Sequence, residues 1–398
     1  MAARPGSAGI VARLRARYFR NAWDSTVSLI CIAVIVTLAY RFIGWAILDG
    51  VWTARSASDC ASKSAGACWA VLPARWRLIL FGVYPFEMQW RPALGSLVLL
   101  IAAVLSCTPW FWRIARIVVL WVASFGAFVA LMRGGFFGLP LISTENWGGL
   151  ALTLFLFASL MVLGMPLATL LAIARQWGPR WLRVCVGVFI DLVRSVPLIA
   201  IMFGASLVLP LILPGWLSGD KLFRVILGFA AFFGAYQAEL LRGGFQAIDK
   251  GQIEAARALG MRPWQFQLTV LIPQAFRLTM PQTVNQAVAG FKDTSYVAIV
   301  GFFDMTASAS AALGTGDWAL AFVEVYMWSR CCISYSRIRC PSMGHRWNEE
   351  WRRGSAADRN GASITLRRAD DCSERTCARG RRGERAGSID ARRSQMVR

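Results

Sequence analysis

Three observations predict an all-α fold, a polytopic transmembrane helical bundle. Of 398 residues, 56% are hydrophobic and only 16% are charged. Several apolar runs last about 20 residues, enough to cross a hydrocarbon core of roughly 30 Å at 1.5 Å rise per residue. The runs are continuous rather than alternating, so helices and not barrel strands satisfy the backbone inside lipid. The expectation is about seven full spans plus a truncated eighth, with the N-terminus cytoplasmic.

The net charge of +21 does not point to nucleic acid. Lys and Arg of a membrane protein collect on cytoplasmic loops. Residues 1–25 carry Arg13, Arg15, Arg17 and Arg20 ahead of an apolar run too long for a cleavable signal, so they read as a cytoplasmic segment.

Residues 26–146 form an N-terminal three-helix extension. Thr26–Leu48 is the first span, with Arg41 near enough to its far end to snorkel. Residues 49–92 form a long periplasmic loop with Cys60 and Cys68. The periplasm permits disulfides, so these two are either a bridge or two separate thiols; their spacing does not match a zinc pattern. Leu94–Trp112 and Ile114–Met132 are the second and third spans, with Arg113 and Arg116 at the turn between them.

Residues 147–328 form the core. Gly149–Ala174 is the fourth span. The basic stretch Arg175–Arg194 reads as an interfacial elbow in which Asp191 and Arg194, three apart on a helix, can pair; placing them inside the membrane instead would be costly. The fifth span starts near Ser195 and Pro197. Leu222–Leu241 is the sixth, and its Gly228, Ala230, Ala231, Gly234, Ala235 and Ala238 suit close helix packing. Pro281–Phe303 is the seventh. Starting inside, the Arg113–Arg116 turn, the elbow and the loop 242–281 all fall on the cytoplasmic side, as the charge rule requires. The loop with Arg55, Lys63, Arg75, Arg77 and Arg91 dissents.

The loop 242–281 contains "QIEAARALGMRPWQFQLTVLIPQA" between two greasy segments. An Ala-rich turn favours helix, with Glu254 in its first turn, where a negative charge suits the dipole. Gly260 suits a left-handed C-cap, and Pro263 the first turn of a second helix. A short, small-faced helix projecting from a membrane domain has the form of a plug for a soluble partner's socket.

This stretch resembles the loop signature E-A-A-x3-G-x9-I-x-L-P of permease subunits of bacterial ABC importers. Here the pattern reads Glu254, Ala255, Ala256, Gly260, Val270, Ile272 and Pro273, with two mild apolar swaps. The flanks "AYQAELLRGGFQAIDKGQ" and "PQAFRLTMPQTVNQAVAGFKDTS" are similar to the polar amino-acid branch, and the N-terminal extension with "NWGGLALTL" to the general L-amino-acid permeases. The resemblance spans about Arg20 to Tyr326. It implies an inner-membrane permease subunit of an ATP-driven amino-acid uptake system. The implied partners are an ABC ATPase subunit docked on the loop, a second related permease or a second copy, a periplasmic amino-acid-binding protein and the lipid bilayer. It implies no cofactor bound by this chain and ATP on the partner subunit. The sequence contains no G-x-x-x-x-G-K-[ST] phosphate loop.

Glu239, Arg242, Lys292 and Asp293 are ionisable groups near the membrane, which mark functional sites by default. They read as a gate or as an ion-pair network at the cytoplasmic boundary. Lys292 and Asp293 are adjacent, point about 100° apart on a helix, and are poorly placed to grip one ligand together. An intramembrane enzyme is disfavoured: the single His, His345, lies in the tail, and the spans show no catalytic dyad or metal cluster.

Residues 329–398 change character. The stretch holds 17 Arg, no Lys and five of the ten Cys, and the apolar run Trp318–Trp328 before it is too short to cross. Arg-rich, Lys-free text is what a shifted frame in a G+C-rich gene yields, so the tail is expected to be aberrant and disordered. The alternative it raises is a non-functional or scaffold product of a frameshifted permease gene.

Overall fold

In the computed structural model, which describes residues 18–329 apart from 64–65, 112, 136–137 and 315–317, each long apolar run is a helix. α1 (Ala22–Ile43) continues through a π-turn at Gly44–Leu48. Two short helices follow, α2 (Ala57–Lys63) and α3 (Val71–Phe81). α4 (Trp90–Ser106), α5 (Ile114–Arg133) and α6 (Gly149–Trp177) come next, with α4 packed on both α5 and α6. α7 (Arg180–Ser195) leads into α8 (Leu198–Phe203), a π-turn at Gly204–Val208 and α9 (Leu209–Ile212). After α10 (Gly215–Ser218) come α11 (Lys221–Gln246), α12 (Lys250–Ala258), α13 (Pro263–Phe266), α14 (Ile272–Asp293) and α15 (Met305–Leu313).

Among the described residues five helices are long and apolar enough to cross a membrane: Ala22–Leu48, Phe86–Ser106, Ile114–Arg133, Gly149–Trp177 and Lys221–Gln246. The expected fifth span is instead half of a bent pair, Arg180–Ser195 and Leu198–Ile212, with 107° between them. Pro197 is the cause. It forces Val196 into an extended conformation (φ −94°, ψ 132°), as a residue before proline prefers, and the chain turns there. The expected seventh span also differs. α14 starts at Ile272, nine residues before Pro281, and ends at Asp293; Thr294–Val300 is a 3₁₀ helix. Gln274, Gln282, Gln286, Thr279, Thr283 and Asn285 dilute its apolar content, so it is absent from the apolar set.

The described residues divide into two compact units, 18–243 with 286–329, and 244–285. The first holds two apolar clusters. In the larger, Phe128 stacks on Phe155 at 4.6 Å between centroids and meets the edge of Trp147 at 5.8 Å. Small residues let α11 close in: a Cβ on Gly228 would touch the Ala205 methyl at 3.0 Å, and one on Gly234 would lie 3.1 Å from Leu167. In the smaller cluster Val51, Cys60, Cys68, Val71 and Ile79 pack with Ala309, Ala312, Trp318, Ala321 and Val325.

Glycines join these regions. Gly148 and Gly149 bridge Phe303 and Asp304 in parallel. A Cβ on Gly82 (φ +61°) would come 2.8 Å from Gly148 Cα, so no other residue fits where these backbones cross. The dissenting Arg91 has a structural explanation. It is fully buried, and its guanidinium donates to the carbonyls of Leu131, Met132 and Pro140. It thus satisfies the last turn of α5, where orphan carbonyls favour a cation, and is not a solvent-facing loop charge.

Candidate functional site

The second unit contains the loop that carries the signature residues. Asp249 caps α12, its side chain accepting from the Gly251 N–H at 2.9 Å. The helix closes with paired reverse bonds: Met261 N–H donates to the Ala256 carbonyl at 3.1 Å and Gly260 N–H to that of Arg257 at 3.0 Å. This is a Schellman closure, and it requires the left-handed φ of +68° at Gly260. The chain restarts at once. Arg262 N–H donates to the Gln265 side chain at 3.2 Å, and Pro263 opens α13, where its missing N–H leaves nothing unsatisfied.

The remaining signature residues lie on the helical continuation. Val270 is inside a π-turn at Gln267–Leu271, and Ile272 and Pro273 begin α14. Pro273 has no N–H and crowds the carbonyl four residues back; a π-turn just ahead of it lets the helix run on without that bond. Of the signature, Ala256 is buried while Glu254, Ala255 and Gly260 are exposed. Beside them Leu259, Trp264 and Leu268 hold 80%, 55% and 56% of their surface open. The unit therefore exposes small residues of α12 together with three large apolar side chains that follow it in the chain.

The ionisable group in the first unit is assembled differently from the expectation. Glu239 accepts from Arg242 on its own helix and from Arg175 of α6 at 3.0 Å. Arg175 also reaches Asp191 of α7 at 3.3 Å. The network is therefore Asp191–Arg175–Glu239–Arg242, linking three helices. Two expectations are corrected. Asp191 pairs with Arg175 rather than with Arg194, whose guanidinium lies 5.2 Å over the Tyr236 ring and whose carbonyl accepts from the Tyr236 hydroxyl. Lys292 and Asp293, at the end of α14, form no ion pair with Glu239 or Arg242 among the described residues. Arg175 is 64 positions from Glu239, a separation at which spacing along one helix carries no information.

Cys60 and Cys68 are joined by a disulfide with Cα atoms 5.8 Å apart. Two groups surround it. Asp59 accepts from the Arg55 N–H at 3.1 Å and pairs with Lys63 at 3.4 Å; the backbone bond, with the cation's help, holds its carboxyl below the usual range. The Cys68 N–H donates to buried Glu324 at 2.6 Å. No group of three or more potential metal ligands occurs among the described residues. The tail 330–398, which carries the expected frame change and His345, lies outside the described residues.

The long apolar helices define a multi-pass helical membrane protein, and a short helix–turn–helix lies in sequence between Lys221–Gln246 and Ile272–Asp293. Residues 164–333 match the binding-protein-dependent transport system inner membrane component family. The chain is 36% identical over 335 residues to the inner membrane amino-acid ABC transporter permease protein YhdY of Escherichia coli K12, covering 81% of this chain and 89% of that one. It is 31% identical over 361 residues to the glutamate/glutamine/aspartate/asparagine transport system permease protein BztC of Rhodobacter capsulatus, covering 74% and 83%. A solved amino acid ABC transporter crystallised with histidines aligns at 23% identity with a TM-score of 0.44, covering 50% of this chain and 90% of that one. The chain belongs to the family of inner membrane components of binding-protein-dependent transport systems.

Proposed function

We propose that this chain is the membrane-spanning permease of an ATP-driven uptake system for polar or general L-amino acids, as the names of its relatives suggest. The loop 242–281 is the cytoplasmic docking element for a separate ABC ATPase. A periplasmic binding protein delivers substrate, and a second permease, related or identical, completes the pore. Residues 1–25 are cytoplasmic, 49–92 face the periplasm within the extension 26–146, and 147–328 form the translocating core. ATP binds the partner subunit and no cofactor binds here. The carrying observation is the geometry of α12: a capped, Schellman-closed helix with Glu254 and Ala255 exposed, followed in the chain by exposed Leu259, Trp264 and Leu268.

The physical logic follows from size and stiffness. A nine-residue helix with a fixed closure transmits force as a rigid knob, and its small side chains permit close approach to a socket. Gly260 is the weak point. Nothing lies within 4 Å of a Cβ placed there, so a substitution is opposed only by backbone conformation, at about 1–2 kcal/mol. Gly260→Val is expected to lower uptake of labelled amino acids at least tenfold in vesicles holding the partner subunits, roughly the effect of losing 1.4 kcal/mol of docking, while expression is unchanged. Full uptake by that variant refutes the docking role. Labelling of the Ala258→Cys variant, and not of the wild type, by an impermeant reagent in intact cells refutes the cytoplasmic placement.

A further inference from the structure

We propose that a groove on the lipid-facing side of the first unit holds an acyl chain of an anionic phospholipid, whose headgroup sits on Arg113 and Arg116. The groove is a cavity of about 660 Å³ walled by α5, α6 and α11. Ile117, Trp121, Phe125, Phe155, Met165 and Phe223 line it. Its depth runs along the helices: Ile117 to Phe125 covers about 12 Å of rise and Phe155 to Pro166 about 16 Å. That is an elongated slot parallel to the membrane normal, the shape of an extended hydrocarbon chain. A bilayer leaves no such slot empty, because an unfilled apolar void forfeits its dispersion contacts. The chain's own spare helix does not fill it, since α1 buries none of its 22 residues.

Charge at one end decides among occupants. Arg113 is the N-cap of α5, four positions before Ile117, so the stripe Arg113, Ile117, Trp121, Phe125 runs along one helix face from a cation into the slot. Arg116 donates to the Trp110 carbonyl at 2.8 Å and its guanidinium lies 4.6 Å over the Trp110 ring. It is held in place by an aromatic residue suited to headgroup depth. Among the described residues no carboxylate pairs with either arginine. Two uncompensated cations at the mouth of an apolar slot match a phosphate-bearing lipid. They do not match the apolar flank of another helix.

The test is native mass spectrometry of the full chain purified in detergent and exposed to equal amounts of phosphatidylglycerol and phosphatidylcholine. The wild type is expected to retain phosphatidylglycerol roughly tenfold better, the order expected for two arginines near a headgroup. Arg113→Gln with Arg116→Gln should abolish that preference. Val122→Trp, which obstructs the slot, should lower retention of both lipids. Arg133→Gln, at the other end of α5, should change nothing. Equal retention of the two lipids by the wild type, or an undiminished preference in the double variant, overturns the proposal. So does a disulfide formed in native membranes between the thiol introduced by Val122→Cys and a cysteine of a second copy or partner subunit, because protein then fills the slot. Each readout is independent of transport, so failure here leaves the permease reading standing.

Discussion

α1 and α6 have the same mean hydropathy over their most apolar windows, and both are long enough to cross a bilayer. Yet half of the α6 window is buried inside the protein and none of the α1 window is. The difference lies in residue size and pattern. α6 offers Ala151, Ala158, Gly164, Ala168 and Ala172 as buried positions, and neighbouring side chains fill the space these leave. Gly290 and Gly164 serve Leu160 and Phe233 in this way. α1 places large aliphatic residues on every side, with Leu29, Ile35 and Leu38 each about 60% exposed. Since lipid tails are as apolar as leucine, apolarity alone holds a helix in the membrane but gives it no reason to pack. Packing comes from shape.

That contrast can be broken most severely by deleting a packed aromatic. Phe128→Ala removes a ring that is fully buried between Phe155 and Trp147, and should cost about 3–5 kcal/mol. Leu38→Ala on α1, 63% exposed, should cost almost nothing. Thermal unfolding of both variants in the same detergent measures the gap; equal losses would dissolve the distinction between the two helices.

Insertion gives a smaller effect whose signs are opposite. A Cβ at Gly164 would meet the Phe233 ring at 2.8 Å, so Gly164→Ala should destabilise by about 1–3 kcal/mol despite alanine's better helix propensity. Nothing lies within 4 Å of a Cβ at Gly44. Gly44→Ala should therefore be neutral or stabilising by up to about 1 kcal/mol, read as a shift in melting temperature.

The mildest test concerns charge. Glu239→Gln leaves Arg175 and Arg242, each a quarter exposed or so, without their shared anion and should cost about 1–2 kcal/mol. α1 has no ion pair among the described residues, so Arg41→Gln should leave stability unchanged in the same assay. If both substitutions behave alike, the three-helix network adds nothing to the bundle.

The long apolar helices were legible in the sequence because continuous hydrophobicity over bilayer length has one common structural outcome. The loop was legible to single residues: the Gly260 stop and the Pro263 restart depend on local backbone geometry, which neighbouring residues dictate. The fifth and seventh segments were not. Ile272–Asp293 mixes polar with apolar positions, whereas Leu198–Ile212 is apolar throughout except for Ser206, and there Pro197 bends the pair by 107° where hydropathy alone suggests an upright span. The role of Arg91 was hidden for a different reason: a cation capping another helix from 40 residues away looks, in one dimension, like a loop charge.

What the sequence determined by itself was the solvent of each segment and the conformation at its ends, since hydropathy, proline and glycine act within a few residues. The tertiary structure alone decided which apolar helix packs and which stays exposed. It also decided that Glu239 meets Arg175, and that Gly82, Gly148 and Phe303 share one crossing. These outcomes depend on distances between residues far apart in the chain, and no local preference encodes such distances.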